Sequence, residues 1–425
     1  MPEVCRRFFF ALLSFNLLAG CEDFPEEAEP RNTRNTRKSD HWLASFSRIP
    51  RILRLVSPPS GCGSAALRSL RSSIVHQQEG IVAHPRRSTT LRTMKLLVRL
   101  SVLLFCSGLI VYSRHDEGAR PRNPKPIDSA GRPLIRKLGT IDLDMVETTP
   151  VVWRGKLWRF EWVRQGTGQQ YWQNQRRTNY FRFREPQTGA VTPPFADGHE
   201  FGSAYVENGT VYVTGTLGRS RVNLFVSRDL KTWGRRTVID DRRYGIFNTS
   251  LGKAGDEYVL AFEIDRPPEE AGVPFTIRFA KSRDLRAWTV TPPECNFTKE
   301  RYSAAPCLRW NEGWFYLFYL EAHDGYETRL VRSRDLAHWI PSPLNPILRA
   351  STEDQQIPNP KLPAAQREKI ALAKNINNSD IDFCEWRGHL VINYSWGNQQ
   401  GTEFLAEAAY DGTQEEFLRG WFPGN

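Results

Sequence analysis

One seven-residue motif, Ser-Arg-Asp-Leu-x-x-Trp, constrains the fold of this chain more than any other feature. Its three copies begin at Ser227, Ser282 and Ser333, at intervals of 55 and 51 residues. Internal similarity with a period of about 40–50 residues is typical of propellers and solenoids. Because Ser and Asp side chains bond readily to nearby backbone amides, we assign the motif to a structural turn. Its tryptophan is expected to pack between neighbouring repeats.

Short β-rich runs separated by glycine turns surround the motif copies. Residues 204–206 and 210–213 flank a Glu-Asn-Gly turn, and the alternating run 222–226 precedes the first motif. Two units without the motif keep the same order of β-rich runs and turns. Five units result, which start near residues 147, 201, 247, 303 and 381. Short strands with such turns predict four-stranded antiparallel blades. The predicted fold is an all-β, five-bladed β-propeller, with at most a helical turn or two in 362–374.

Two export-like segments precede the repeats. The first starts at Met1 and ends in Leu-Ala-Gly-Cys, which resembles a lipoprotein lipobox with Cys21 as the lipid acceptor. The second starts at Met94, and its apolar run is shorter than the roughly 20 residues of a comfortable membrane span. Either start sends the repeat domain out of the cytoplasm, so that it is periplasmic, secreted or attached to the envelope.

The predicted domain organisation therefore has four parts. They are a disordered basic segment or over-extended gene start at 1–93, a signal peptide or signal anchor at 94–113, a Pro-rich linker at 114–137, and the propeller at 138–425.

Charge and cysteine content exclude several classes of function. The chain has 58 Lys+Arg against 47 Asp+Glu, but residues 1–120 hold a net +8 and residues 121–425 only +3. A nucleic-acid reader needs a basic surface on its folded domain, so nucleic acid is not expected as a partner. The seven cysteines lack CxxC spacing, so neither a zinc site nor any cofactor is expected. Cys295, Cys307 and Cys384 are either three free thiols or a single disulfide with one thiol left over.

The five units and their three motif turns resemble the five-bladed β-propellers of glycoside hydrolases. That superfamily contains the family 43 arabinanases and xylosidases and the invertase-like enzymes. The resemblance implies a pocket at one end of the central channel, lined by the residues that begin each blade's innermost strand. Family 43 places Asp before Pro in blade 1, Asp in blade 3, and Glu before Gly-Pro in blade 4. Here Thr149 precedes Pro150, Asn248 stands in blade 3 and Ala305 precedes Pro306, so that trio is absent in its usual form.

Other polar residues stand at the same end of the predicted propeller. Glycoside hydrolysis needs an acid for the leaving oxygen and a carboxylate that activates water or attacks directly. The candidate catalytic residues are Glu147, Glu200, Asp380 and Asp382. Because Asp380 and Asp382 alternate on a strand, they are expected to face one way, next to Glu147 once blade 5 neighbours blade 1. Close carboxylates drive their pKa values apart, which supplies an acid and a base at one pH.

Amides, aromatics and cations at the blade starts suit the recognition of sugar hydroxyls and ring faces. The candidate substrate-binding residues are His199, Asn248, Arg301, Tyr302, Asn378 and Trp396. Glu263 and Glu321 end apolar second strands, and they either touch the pocket or cap the strand ends.

The sequence thus predicts an exported, monomeric glycoside hydrolase that acts on a plant or algal polysaccharide or oligosaccharide. Contact with a membrane is expected only through an N-terminal anchor or lipid. The alternative is a non-catalytic propeller that binds glycan or protein at the cell envelope, which the missing family 43 trio favours. A sialidase-like or lyase propeller is the third interpretation, and it is disfavoured because only Arg301 offers an arginine at a blade start.

Overall fold

A computed structural model describes residues 126–164, 178–273, 275–323, 325–398 and 403–424. The predicted N-terminal segment, the signal segment and the linker up to residue 125 lie outside the described residues. Within the described part of the predicted linker, Ile127 bridges to Pro133 around a turn that Asp128 stabilises. In the described ranges, no helix combines the length and apolarity needed to cross a membrane.

The described strands form five antiparallel blades, which confirms the predicted fold class. From the channel outward, blade 1 consists of β2 (Thr148–Trp153), β3 (Lys156–Arg164) and β4 (Asn179–Arg184), and blade 2 of β5 (Glu200–Glu207), β6 (Thr210–Leu217), β7 (Arg221–Ser227) and β8 (Gly234–Asp240). Blade 3 consists of β9 (Ile246–Ala254), β10 (Glu257–Ile264), β11 (Thr276–Ser282) and β12 (Thr289–Val290), and blade 4 of β13 (Ser303–Asn311), β14 (Trp314–His323), β15 (Gly325–Ser333) and β16 (Ile340–Pro341). Blade 5 consists of β17 (Asn377–Trp386), β18 (His389–Gly397), β19 (Glu403–Tyr410) and β1 (Arg136–Leu143). Two isolated bridges, from Phe181 to Phe195 and from Arg184 to Val191, supply the outer edge of blade 1.

The blades close into a ring around the channel. Each innermost strand contacts the innermost strand of the next blade, and β17 of blade 5 contacts β2 of blade 1. The outermost strand of blade 5 is β1, which comes from the other end of the propeller sequence and pairs antiparallel with β19. Ring closure therefore depends on hydrogen bonds between the first and last strands, and it leaves only short strand edges exposed.

The repeated motif is a turn, as predicted. Ser227 Oγ accepts hydrogen bonds from the backbone N–H groups of Asp229 and Leu230, and Asp229 Oδ1 accepts two more from the residues that follow. The copies in blades 3 and 4 make the same bonds. These backbone hydrogen bonds hold the pKa of Asp229 well below its usual value. The motif tryptophan of blade 2, Trp233, stacks on Phe195 of blade 1 with ring centroids 3.9 Å apart, so the motif packs neighbouring blades together.

The helices in the part of the chain that the structure describes are few and short. They are α1 (Pro268–Ala271), α2 (Ala364–Leu372) and α3 (Gln414–Gly420), with 3-10 turns at Pro293–Cys295 and Thr352–Gln355. The helical turn expected in 362–374 is therefore confirmed as α2. Of the two alternatives for the C-terminal cysteines, the structure has three free thiols.

The 3-10 turn Thr352–Gln355 holds β1 in place through hydrogen bonds and an ion pair. Asp354 is fully buried and pairs with Lys137 of β1, with 2.8 Å between Oδ1 and Nζ. The same carboxylate accepts hydrogen bonds from Tyr394 Oη and Asn378 Nδ2 of blade 5. Thr140 of β1 donates its hydroxyl to the backbone carbonyl of Asp354. One buried carboxylate thus ties the first strand of the propeller to the last blade.

Gly139 is required where β1 passes this turn. Its φ is +106°, and a Cβ there would lie 2.3 Å from the backbone oxygen of Gln356. We expect Gly139→Ala to lower the free energy of unfolding by about 2–4 kcal/mol, because strain at positive φ adds to overpacking against a backbone atom. Gly155→Ala is the matched control, since φ is +74° there and no atom lies within 4 Å of the added carbon. Denaturant unfolding measures this free energy. Equal losses of stability in both variants would show that the space between Gly139 and Gln356 accommodates the extra carbon.

Candidate functional site

The inner strands are bulged at the channel end of three blades, which changes where their side chains point. Phe201, Ala305 and Asp380 occupy equivalent positions in blades 2, 4 and 5, with φ of 53°, 49° and 51°. The strand register shifts at each of them. A bulge inserts one residue and redirects its neighbours. The expectation that Asp380 and Asp382 share one face is therefore wrong, because the bulge falls between Ser379 and Asp382 and breaks the alternation.

Three carboxylates, which we call the channel carboxylates, lie within electrostatic reach of one another. They are Glu147 just before β2, Glu263 near the end of β10, and Asp380 at the bulge of β17. Blades 1, 3 and 5 each contribute one of them, at the end of the channel where the inner strands begin. Glu263 reaches this end because β10 runs antiparallel to β9 and finishes opposite its start.

Glu147 is the channel carboxylate with the largest change in pKa. Burial, and then the charges of Asp380 and Glu263, raise its pKa to about 8, against the opposing effect of Arg164. Its Oε2 accepts no hydrogen bond within the described residues. Glu147 is therefore protonated at neutral pH, with one oxygen available to a ligand.

Glu263 is held rigidly. Its Oε2 accepts hydrogen bonds from Asn248 Nδ2 at 3.0 Å and from the backbone N–H of Ala305 at 2.8 Å. These bonds favour the ionised form, but burial outweighs them and raises the pKa of Glu263 to about 7, with a further contribution from Asp380. Of the two alternatives for Glu263, the structure supports contact with the pocket rather than a cap on a strand end.

Asp380 accepts hydrogen bonds from two serine hydroxyls. Its Oδ2 accepts hydrogen bonds from Ser379 Oγ at 2.6 Å and from Ser395 Oγ at 2.8 Å. Burial raises the pKa of Asp380, and the two hydroxyl donors and the charge of Arg164 oppose that rise. Burial outweighs these opposing contributions, so the net direction of the pKa of Asp380 is upward.

Asp382 lies elsewhere, in a buried ion pair. It bonds the guanidinium of Arg309 in blade 4 and accepts a hydrogen bond from Thr149 Oγ1 of blade 1 at 2.9 Å. The backbone N–H of Ala204 in blade 2 donates to the same threonine hydroxyl. Asp382 is only 7% exposed, so its carboxylate connects three other blades instead of facing a ligand. The catalytic role predicted for Asp382 does not fit this position.

His199 and Glu200 stand at the start of blade 2. Glu200 begins β5 and exerts its charge on His199, while His199 Nε2 bonds to Asn223 Nδ2 at 2.8 Å. Burial lowers the pKa of His199, so the ring is neutral at pH 7. The ring is 2% exposed and packs edge-on against Phe225, which does not fit the predicted contact with substrate.

Asn248 and Tyr302 lie at the site. Asn248 holds Glu263, and its own Oδ1 accepts no hydrogen bond within the described residues. Burial, and then the charge of Glu263, raise the pKa of Tyr302, so its hydroxyl keeps its proton. Arg301 is mostly exposed, with its Nη1 3.5 Å from Glu321 Oε2, which places it at the rim.

Asn378 and Trp396 support the fold and do not line the channel. Asn378 is fully buried in the Asp354 network described above. Trp396 has no exposed surface, donates Nε1–H to Thr140 Oγ1 and stacks on Phe404. The contacts with sugar predicted for both residues are wrong for this reason.

Several buried oxygens at the starts of the inner strands accept no hydrogen bond within the described ranges. They are Glu147 Oε2, Asn248 Oδ1, Ser303 Oγ and Asn377 Oδ1. Buried polar atoms are normally paired with protein, water or ligand. These atoms lie at the same end of the inner strands as the channel carboxylates. No group of His, Cys, Asp and Glu suited to a metal ion is found in the residues that the structure describes.

Two members of this site carry little signal in the sequence. Glu263 follows an apolar run, as a strand cap would, and only its antiparallel pairing with β9 brings it to the channel. Arg164 ends β3 at the same end, with its guanidinium 5.0 Å from the Trp162 ring centroid. A polar residue that ends the second strand of a blade is the sequence signal that could have found both.

Comparison with known proteins gives matches in structure only. No family model matches the chain, and no curated protein matches its sequence. A solved structure titled glycoside hydrolase matches at 12% identity with a TM-score of 0.45, covering 65% of this chain and 92% of that one. An α-L-arabinofuranosidase from Podospora anserina, solved with cellotriose, matches at 9% identity with a TM-score of 0.44, covering 67% and 95%. An exo-1,5-α-L-arabinanase from a bovine ruminal metagenomic library matches at 11% identity with a TM-score of 0.42, covering 63% and 93%. The fold assignment accordingly rests on the chain's own blade order and ring closure.

Proposed function

We propose that this protein is an exported glycoside hydrolase whose active site is formed by the channel carboxylates. The observation that supports this most is the pairing of Glu147, which is protonated at neutral pH, with Asp380, whose carboxylate accepts hydrogen bonds from two serine hydroxyls. Glycoside hydrolysis needs this combination of a carboxylic acid and a carboxylate. The unpaired oxygens beside them suit the hydroxyl groups of a sugar.

In this proposal Glu147 gives its proton to the glycosidic oxygen as the bond from that oxygen to the anomeric carbon breaks. Asp380 supplies the negative charge on the other side, where it activates water or attacks the anomeric carbon. Burial and then the charge of Asp380 keep the pKa of Glu147 high, and Glu263 adds a smaller contribution of the same sign. Asn248 and Ala305 fix Glu263 in place for that role. The substrate class is a plant or algal polysaccharide or oligosaccharide.

The full chain can be tested against a panel of aryl glycosides and natural plant and algal oligosaccharides over a range of pH. For the substrate that is cleaved, kcat/KM is expected to fall as the pH rises through about 8, because Glu147 then loses the proton it must donate. Release of no sugar from any substrate would contradict the proposal. A pH profile that stays flat from pH 6 to pH 10 would contradict the role of Glu147.

The second candidate is a non-catalytic propeller that binds glycan at the cell envelope. This non-catalytic function is favoured by two positions that lack a carboxylate, since Thr149 and Asn248 stand where the resemblance implies aspartates. Binding of an oligosaccharide without turnover in the same panel would support this function over hydrolysis.

A further inference from the structure

Four aromatic rings form a continuous arc beside the channel carboxylates. Phe247, Phe275, Tyr302 and Tyr326, which we call the aromatic arc, follow one another in edge-to-face contacts, with centroid separations of 4.8, 5.5 and 6.1 Å. All four are partly exposed. Edge-to-face packing fixes each ring relative to the next, so the arc is a rigid apolar surface.

Both ends of the arc are joined to the channel carboxylates. Phe247 precedes Asn248, whose amide holds Glu263. At the other end, Tyr326 bridges to Asn377, whose Nδ2 donates to Ser379 Oγ, the hydroxyl that bonds Asp380.

Within the arc, the backbone carbonyl of Phe275 accepts the N–H of Ser303, which fixes Phe275 at the start of blade 4. The arc therefore runs along the blade 3 and blade 4 side of the site.

The rings are not all equally open to a ligand. The guanidinium of Arg219 covers Phe247, with Cζ 3.9 Å from the ring centroid, and a salt bridge to Asp265 holds that arginine. Phe247 therefore supports the arc, and Phe275, Tyr302 and Tyr326 present its accessible surface.

The chemistry of the arc differs from that of the channel centre. The centre offers oxygens, such as Asn248 Oδ1 and Glu147 Oε2, which suit the hydroxyls of the sugar being cleaved. The arc offers carbon surface, which suits the apolar face of a ring. A substrate that spans both regions places a second ring on the arc.

We propose that the aromatic arc binds the ring on the leaving-group side of the scissile bond. This inference rests on the proposed hydrolase function and adds a requirement for a leaving group with an apolar face. Two sources provide such a face, a second sugar unit and an aryl group.

The test compares the wild-type chain with Phe275→Ala on three substrates with the same cleaved sugar: a disaccharide, an aryl glycoside and the glycosyl fluoride. Fluoride brings no ring to the arc. We expect kcat/KM to fall roughly tenfold or more on the first two, from the lost ring contact, and to stay within about threefold on the fluoride. A larger loss on the disaccharide than on the aryl glycoside would identify sugar as the natural occupant, and the reverse would identify an aryl group.

Three further variants separate ligand binding from folding. Tyr212→Ala removes a partly exposed ring from the far half of blade 2, next to Tyr205, and is expected to leave all three rates unchanged. Phe275→Leu keeps the apolar volume without a flat face, and it replaces Phe275→Ala if that variant does not fold. Tyr302→Phe keeps the ring and is expected to keep the preference among the substrates.

An equal loss on all three substrates would overturn the proposal, because the arc would then act on the cleaved sugar or on folding. If the wild type cleaves none of them, the proposed hydrolase function fails, and the arc is tested by calorimetric binding of the disaccharide. A roughly tenfold weaker affinity in Phe275→Ala would still support the arc as a ring-binding surface. Equal affinity, or no binding to either form, would overturn it.

Discussion

Asp380→Asn is expected to lower kcat/KM by about 10²–10⁴-fold while the protein stays folded, which is the usual loss when a general acid or base is removed. The asparagine oxygen can still accept hydrogen bonds from the hydroxyls of Ser379 and Ser395, so the local hydrogen bonds remain. What disappears is the charge on the base. Glu147→Gln is expected to cause a similar loss, since the amide cannot supply the proton. Initial rates on the best substrate of the glycoside panel measure both effects.

The stability of Glu147→Gln provides the control for folding. The folded-state pKa of Glu147, about 8, lies above its ordinary value of 4.5. Its contribution to stability is therefore fully present below about pH 4.5 and is lost as the pH rises through 8. At pH 8 the uncharged glutamine should unfold at a higher temperature than the wild-type residue. A less active variant that is also less stable at pH 8 would indicate a folding defect and contradict the assigned role.

Asp382→Asn is expected to destabilise the propeller by about 3–5 kcal/mol, because it leaves the buried Arg309 guanidinium without its counter-charge. Asp382 is 7% exposed, and its partners lie on blades 1 and 4. The loss is measured by denaturant unfolding at neutral pH. The same variant is expected to be inactive only to the extent that it is unfolded.

Two comparisons make this prediction specific. Asp240→Asn removes an ion pair to Arg221 in which both side chains are about half exposed, and it should cost less than about 1 kcal/mol. The double variant Asp382→Leu with Arg309→Met should recover much of the lost stability, because an apolar pair can replace a buried ion pair at little net cost. If Asp382→Asn unfolds like the wild type but loses all turnover, Asp382 is catalytic and its assignment to the ion pair is wrong.

The propeller architecture could be predicted from the sequence because each repeat is encoded by local sequence. The Ser-Arg-Asp-Leu-x-x-Trp turns satisfy their own backbone amides, so the three copies mark the same place in each blade regardless of what surrounds them. The number of blades follows from the spacing of these turns and of the two units without them. Closure by β1 was not foreseen, because strand pairing between the two ends of the propeller leaves no local pattern.

The candidate site could be predicted from the sequence only in part, for a different physical reason. Strand alternation assigns side chains to faces only while the register is regular, and the bulge at Asp380 interrupts it. Asp380 and Asp382 thus have different environments although only one residue separates them. Asn378 and Trp396 looked like ligand contacts because they are polar or aromatic. Asn378 is instead bonded to Asp354 of the Thr352–Gln355 turn and Trp396 to Thr140 of β1, and both partners are distant in sequence.

The most direct test of the proposed active site measures binding and turnover on one oligosaccharide with the wild type and Glu147→Gln. Calorimetry gives the affinity of each protein, and sugar release at pH 6 gives the rate. We predict that both proteins bind with similar affinity and that only the wild type releases sugar. If both bind and neither releases sugar, the channel carboxylates do not perform hydrolysis and the propeller is a glycan-binding module.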